Sequence, residues 1–172
     1  MQYELVPVSL VQLRELANSM TPATLAFEAE DHSLPPDFVA AESLRQIEDE
    51  GCPDWCSTYL ILRLSDKKIV GSGCFKRAPS QGSVEIGYGI AATARNRGAA
   101  TQAVKNFVSL ALRNGMVRVT AEASPDNPAS TKVLQNAGFM CVGRRVDEKD
   151  GPVDLWAATG EALANRFRTN VS

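Results

Sequence analysis

The sequence predicts a mixed α/β (α+β) domain whose central sheet is largely antiparallel, flanked by helices and carrying one covered crossover. Three observations carry this expectation. Between 59 and 90, three strand-like runs are separated only by turn residues. After residue 84, strands alternate with amphipathic helical stretches. No linker, repeat or low-complexity tract divides the 172 residues. Hairpin-linked strands pair antiparallel, whereas a strand-helix-strand unit needs a covered parallel crossover. Residues 1–172 are expected to form a single domain with room for a sound core.

Residues 2–8 alternate like a short strand, and 9–17 are amphipathic with Ser9 as N-cap. Residues 18–56 are mixed, with a helix at 37–50 that stops at Gly51. Runs 59–64, 69–75 and 84–90 form a meander through turns at Ser65-Asp66-Lys67 and Ser80-Gln81-Gly82. From 99 to 112, the small or apolar positions 100, 103, 104, 107, 108 and 111 share one helix face, and Asn114-Gly115 is the stop. Residues 117–123 form a strand with Val117, Val119, Ala121 and Ala123 on one side. Asn127-Pro128 opens a short helix to about Asn136, and Gly138 ends it. Strands 139–146 and 153–158 join through Asp150-Gly151, and 159–168 can close as a helix.

Composition narrows the function classes. At 44% hydrophobic and 22% charged, the chain is neither disordered nor fibrous. A net charge of −2 gives no electrostatic footprint for nucleic acid. No apolar run approaches the roughly 18 residues of a membrane span, and the N-terminus lacks the shape of a signal peptide, so the cytoplasm is the expected compartment. Cys74 and Cys141 lie in apolar runs and are expected in the core. Cys52 and Cys56 have the spacing of neither a redox pair nor a familiar zinc half-site. With one histidine, His32, no metal site is expected.

The segment Arg95-Asn96-Arg97-Gly98-Ala99-Ala100 lies between a strand and an amphipathic helix. A small, glycine-containing loop lets backbone N–H groups at a helix start approach a ligand, and the partial positive charge there suits phosphate. An ordinary strand-loop-helix junction with solvated arginines also fits this segment alone. It is neither a Walker loop nor a dinucleotide fingerprint. A second unit follows about 30 residues later: Asn127-Pro128-Ala129-Ser130 opens a helix and Gly138-Phe139 closes it. Capping explains that unit locally but not its pairing with the first.

Together these segments resemble the GNAT (Gcn5-related N-acetyltransferase) family. Arg95-x-x-Gly98-x-Ala100 is similar to its acyl-CoA signature, and Asn127-x-x-Ser130 with Gly138-Phe139 to its second block. Glu85-Ile86-Gly87-Tyr88 resembles the strand before the signature in the ribosomal-protein-acetylating, RimJ/RimL-like branch. The resemblance covers about 58–158. It implies acetyl-CoA as co-substrate, an amine acceptor and no metal. By it, Arg95, Arg97, Gly98, Ala99 and Ala100 would hold the pyrophosphate, with the main-chain amides at the centre. Strands 84–90 and 117–123 would splay to admit the pantetheine arm. A backbone N–H near Ile90 would polarise the thioester carbonyl, and Asn127 would face the pantetheine or the reacting centre. Many members carry a tyrosine acid four residues before the Gly-Phe glycine. Leu134 stands there in this chain, so Ser130 becomes the candidate acid.

An attacking ammonium must first lose a proton, which calls for a base. Glu85, in an otherwise apolar strand, is the candidate, with burial expected to raise its pKa; a solvated strand carboxylate is the other reading. Tyr88 is expected to pack, and Trp55 and Trp156 to sit in the core or at its rim. His32 is expected at the surface. Between 26 and 54 there are nine acids and one basic residue, Arg45: a local charge of −8 against +6 for the remainder. That asymmetry points to a cationic acceptor, such as a basic peptide N-terminus or a polyamine; a solvated acidic helix fits the same count. The function expected is transfer of an acetyl group to an unidentified primary amine. The alternative is a non-catalytic acyl-CoA-binding module; monomer and homodimer are both open.

Overall fold

The computed structural model describes residues 2–51, 55, 57–148 and 151–160. Within them the chain runs β1 (Tyr3–Pro7), α1 (Leu10–Ala17), β2 (Glu28–Ala29), α2 (Asp37–Glu50), β3 (Thr58–Arg63), β4 (Lys68–Phe75), β5 (Ser83–Ile90), α3 (Ala99–Arg113), β6 (Arg118–Ala123), α4 (Pro128–Ala137), β7 (Met140–Asp147) and β8 (Gly151–Thr159). A short 3-10 turn, Ala92–Ala94, precedes α3. The expected helix at 159–168 falls almost wholly outside the described residues, as do Asp150, Cys52 and Cys56.

Local chemistry explains the element ends. Ser9 and Gln12 form a reciprocal capping box at the start of α1. Gly51, at φ +63°, ends α2. Asn127 caps α4 by accepting from the Ser130 N–H at 3.0 Å, with Pro128 in the first turn.

The strands form one sheet in the order β1-β3-β4-β5-β6-β8-β7, with the two-residue β2 added beside the start of β4. All pairings are antiparallel except β2 with β4 and β5 with β6. The crossover from β5 to β6 carries α3 over one face. There Val104, Phe107, Val108 and Ala111 pack on Phe75, Ile86, Val119 and Trp156. On the opposite face, Leu13 and Leu16 of α1 and Ala40 of α2 meet Leu60 and Ile69. Burying this much apolar surface on both faces is the main favourable term for the fold. Gly73 permits the close approach of α3, since a Cβ there would stand 2.7 Å from the Phe107 ring and 2.8 Å from the Gly87 carbonyl oxygen.

A bulge sets up the functional face. Ile61 pairs with Gly71 but Leu62 with Ile69, which leaves Val70 as an extra residue in β4. The alternation of β4 therefore changes phase: Ile69 feeds the α1/α2 core, and beyond the bulge Ser72 and Cys74 take over that side. Two sequence expectations need correction. Val117 is 64% exposed, because β6 begins only at Arg118. Cys141 is exposed, because β7 is the outermost strand of the sheet and pairs only with β8.

Candidate active site

β5 and β6 diverge. Ser83–Ile86 pair with Arg118–Ala121, and the parallel pairing stops there. Gly87–Ile90 then pair with β4 alone, while Glu122 and Ala123 pair with β8 alone. Strand alternation fixes what lines the gap. The Glu85 carbonyl accepts from Lys76 and the Ala91 N–H donates to Val70, so odd-numbered main-chain groups of β5 serve β4. Those of Tyr88 and Ile90 point the other way, into the wedge.

A groove of about 810 Å³ occupies the wedge, lined by Tyr88–Ile90, the 94–101 loop and helix start, and the first turns of α4. The N-terminus of α3 opens onto it at Gly98, which caps the helix at φ +80° with no side-chain cap. A residue with a side chain would be strained there. Arg95, Gly98, Ala99 and Ala100 all line the groove. Arg95 Nε donates to the Ile90 carbonyl at 3.3 Å. Arg97 is exposed and does not line the groove, although its carbonyl accepts from the Tyr3 hydroxyl at 3.3 Å. Lys132 and Asn136 of α4 complete the wall. They were missed in the sequence; with Ala129 and Val133 they form a stripe at helical spacing, which is the signal that could have found them.

Asn127 and Ser130 line the same groove, and Ser130 Oγ lies 3.0 Å from the Tyr88 hydroxyl. Tyr88 packs against the core, and its hydroxyl has this partner as well. Burial pushes its phenol above the ordinary value, with the Ser130 hydrogen bond pulling weakly the other way. At neutral pH it therefore stays protonated and can donate. Leu134 is fully buried in the core.

On the other side of β5 lies a second cavity of about 420 Å³, between α2 and the ends of β4 and β5. Tyr88 and Gly89 line both cavities, so the two meet at this strand end. Glu85 lines neither; its side chain is 23% exposed and its Oε1 takes the Lys76 ammonium at 2.6 Å. His32 is exposed and lines neither. Trp156 is buried, and Trp55 stacks edge-on against Phe75 at 5.1 Å. Among the described residues, no group of three or more His, Cys, Asp or Glu could hold a metal ion, and no helix is long and apolar enough to cross a membrane.

A helix N-terminus at the mouth of two splayed strands is what this fold offers a ligand, and the arrangement lies within a known family. Residues 7–140 match the acetyltransferase (GNAT) domain, and the chain belongs to that family. A curated relative, the uncharacterized N-acetyltransferase YjdG of Bacillus subtilis (strain 168), is 31% identical over 85 residues, 48% of this chain and 51% of the relative. The match thus spans about half the relative's length. Among solved structures, the ribosomal-protein-S5-alanine acetyltransferase of Vibrio fischeri superposes with a TM-score of 0.68 at 17% identity, over 94% of each chain. A spermidine N-acetyltransferase SpeG chimera from Vibrio cholerae and hSSAT gives 0.67 at 16%, over 95% of this chain and 99% of that one. AAC(6')-Ib in complex with parmomycin and acetyl-CoA gives 0.64 at 15%, over 95% of this chain and 97% of that one. At these identities the likeness is one of fold.

Proposed function

We propose that the chain transfers an acetyl group from acetyl-CoA to a primary amine by direct attack, with general-base assistance. The observation that carries this is the meeting of the two cavities at Tyr88–Gly89. One has a phosphate-competent helix terminus and unpaired strand edges; the other opens from the opposite face. A thioester held in the first is then within reach of an amine held in the second.

The residues divide the work as follows. The amides at Gly98, Ala99 and Ala100 bind the pyrophosphate, with Arg95 and Lys132 adding charge. Main-chain groups of Tyr88 and Ile90 pair with the pantetheine arm, and the Ile90 N–H steadies the developing oxyanion. Asn127 holds the turn that presents Ser130. Glu85 takes the amine proton through water, since Lys76 stands between it and the cavity. As the nitrogen–carbon bond forms and the carbon–sulfur bond breaks, the Tyr88–Ser130 pair returns a proton to the sulfur. Within the family, Glu85-Ile86-Gly87-Tyr88 supports a sequence kinship with the RimJ/RimL-like branch, which leaves the acceptor open.

The test has two parts. Calorimetric titration of acetyl-CoA into Gly98→Glu should show affinity at least about 100-fold below wild type, because a carboxylate then faces the phosphates. Gly98→Ala shares the φ strain without the charge and should retain most of the affinity. Equal binding by Gly98→Glu would remove the loop assignment. Separately, CoA release is followed over classes of amine, with mass spectrometry of products. Binding without release for any amine would leave an acyl-CoA-binding module.

A further inference from the structure

If the acetyl transfer proposed above is right, the acceptor sits in the cavity beneath α2, and the charge there does not suit a polycation. Most of its wall is apolar or small, from Pro36, Phe38 and Val39 on one side to Gly73, Cys74 and Gly87 on the other. Three charged side chains line it: Glu42, Lys76 and Arg77. Glu42 is already occupied. Arg45 grips both of its oxygens, at 3.0 Å and 2.7 Å, and Gln46 adds a third bond at 2.7 Å. Those bonds, Arg45's first, hold its carboxyl down at about 2. Lys76 is matched by Glu85. Arg77 remains, exposed at the cavity, its guanidinium making no ion pair or hydrogen bond among the described residues.

The acids that a sequence count assigns to this side are largely engaged elsewhere. Glu28 pairs with Lys68, Glu30 with Arg63 and Asp49 with Arg45, while Asp37 accepts from Ser19 and the Phe38 N–H. None of these four lines the cavity. A polyamine would need several free carboxylates along its length, and the lining offers none. What it offers is one guanidinium whose N–H donors are unused among the described residues, near enough to Glu42 for its charge to help lower that carboxyl, and a rigid fork suited to a carboxylate. The volume of about 420 Å³ lies at the lower end of small-molecule sites.

We propose that the acceptor is a small amino carboxylate: a primary amine joined through a short apolar body to a carboxylate. Its amine reaches the strand end at Tyr88–Gly89, and Arg77 holds its carboxylate. The carboxylate takes no part in the chemistry; the amine loses one proton as the amide forms, and the thiolate leaves with one.

The experiment uses the whole chain with acetyl-CoA and matched pairs of acceptors, each a short amino acid and its carboxamide, with spermidine as the polycation. CoA release gives kcat/KM and mass spectrometry identifies products. Carboxylates should exceed their amides by about tenfold or more, the scale of a charged hydrogen bond. Arg77→Gln should bring that ratio near one by raising KM for the carboxylate, and Arg77→Lys should restore part of it. Amides or spermidine accepted as well as the carboxylates, or a ratio unmoved by Arg77→Gln, would overturn this inference alone. No release with any amine while acetyl-CoA still binds would overturn the acetyl-transfer reading and this inference with it.

Discussion

The two cavities that meet at Tyr88 are made of different materials. The wedge groove is framed by main-chain features: a helix terminus capped by Gly98, the stretch of β5 at Tyr88 and Ile90 that β6 does not pair, and the capped start of α4. The α2 cavity draws more on side chains, from α2, β3, β4, the segment that follows β4, and β5, with Gly73, Gly87 and Gly89 between them. Main-chain sites suit what does not change, which on the proposed reading is the phosphates and pantetheine of a common donor. Side-chain sites can be altered one residue at a time, which suits an acceptor that differs between relatives. The family neighbours carry names with quite different acceptors, spermidine in one and a ribosomal protein in another, on one fold.

The largest expected effect breaks the acceptor side while sparing the donor side. Glu85→Gln keeps the shape of the side chain and removes proton acceptance, so kcat at neutral pH should fall by roughly 10²–10⁴-fold. Acetyl-CoA affinity, measured by calorimetry, should stay within about twofold. Turnover at the wild-type rate with an unshifted pH profile would reduce Glu85 to a structural partner of Lys76.

A smaller effect tests the seam between the two sides. Tyr88→Phe and Ser130→Ala each remove one hydroxyl of the pair, and each should lower kcat by about tenfold, with the double variant little below either because the pair acts as a unit. Burial raises the Tyr88 pKa, so in the wild type the alkaline fall in rate should lie above the ordinary phenol range near 10. Stopped-rate assays from pH 6 to 11 read this directly. If the Tyr88→Phe variant keeps both the rate and the alkaline limb, the phenol is packing after all.

The same contrast explains what the sequence could show. Gly98, Asn127-Pro128 and Gly138 announce themselves, because helix ends and left-handed positions are decided by local chemistry within a few residues. The meander and the crossover follow from periodicity in the same way. The α2 cavity is not local. Ser72 and Cys74 reach it only because the Val70 bulge changes the phase of β4, and no alternation pattern marks an extra residue. Tyr88 reads as packing until its partner 42 positions away is in place. Counting acids between 26 and 54 does not say which of them face the cavity: Lys68, Arg63 and Arg45 meet several, and among the described residues Glu42 is the acid of that stretch that lines it. Cys141 failed for a related reason: its run is apolar, but β7 has a neighbour on one side only.

The smallest expected effect concerns a tie between the two regions. Thr93, in the turn that precedes the 95–100 loop, donates its hydroxyl to Glu30, which lies just past β2. Glu30 also pairs with Arg63 at 2.5 Å; that guanidinium is 7% exposed, bonds Asp66 as well, and leaves Nη1 without a partner among the described residues. The Thr93 hydroxyl, with Arg63 behind it, holds the Glu30 carboxyl below its ordinary range against the opposing pull of burial. A depressed carboxylate contributes stability that is present above the ordinary carboxylate pKa and is lost as pH falls through the lowered value. Thr93→Val keeps the volume and removes the donor. It should cost about 1 kcal/mol at pH 7 and shift acid unfolding to higher pH, because Glu30 then protonates sooner. Urea unfolding at pH 7 and at pH 4 checks both. Equal losses at the two pH values would mean that the hydroxyl acts through packing of the turn and not through the charge on Glu30.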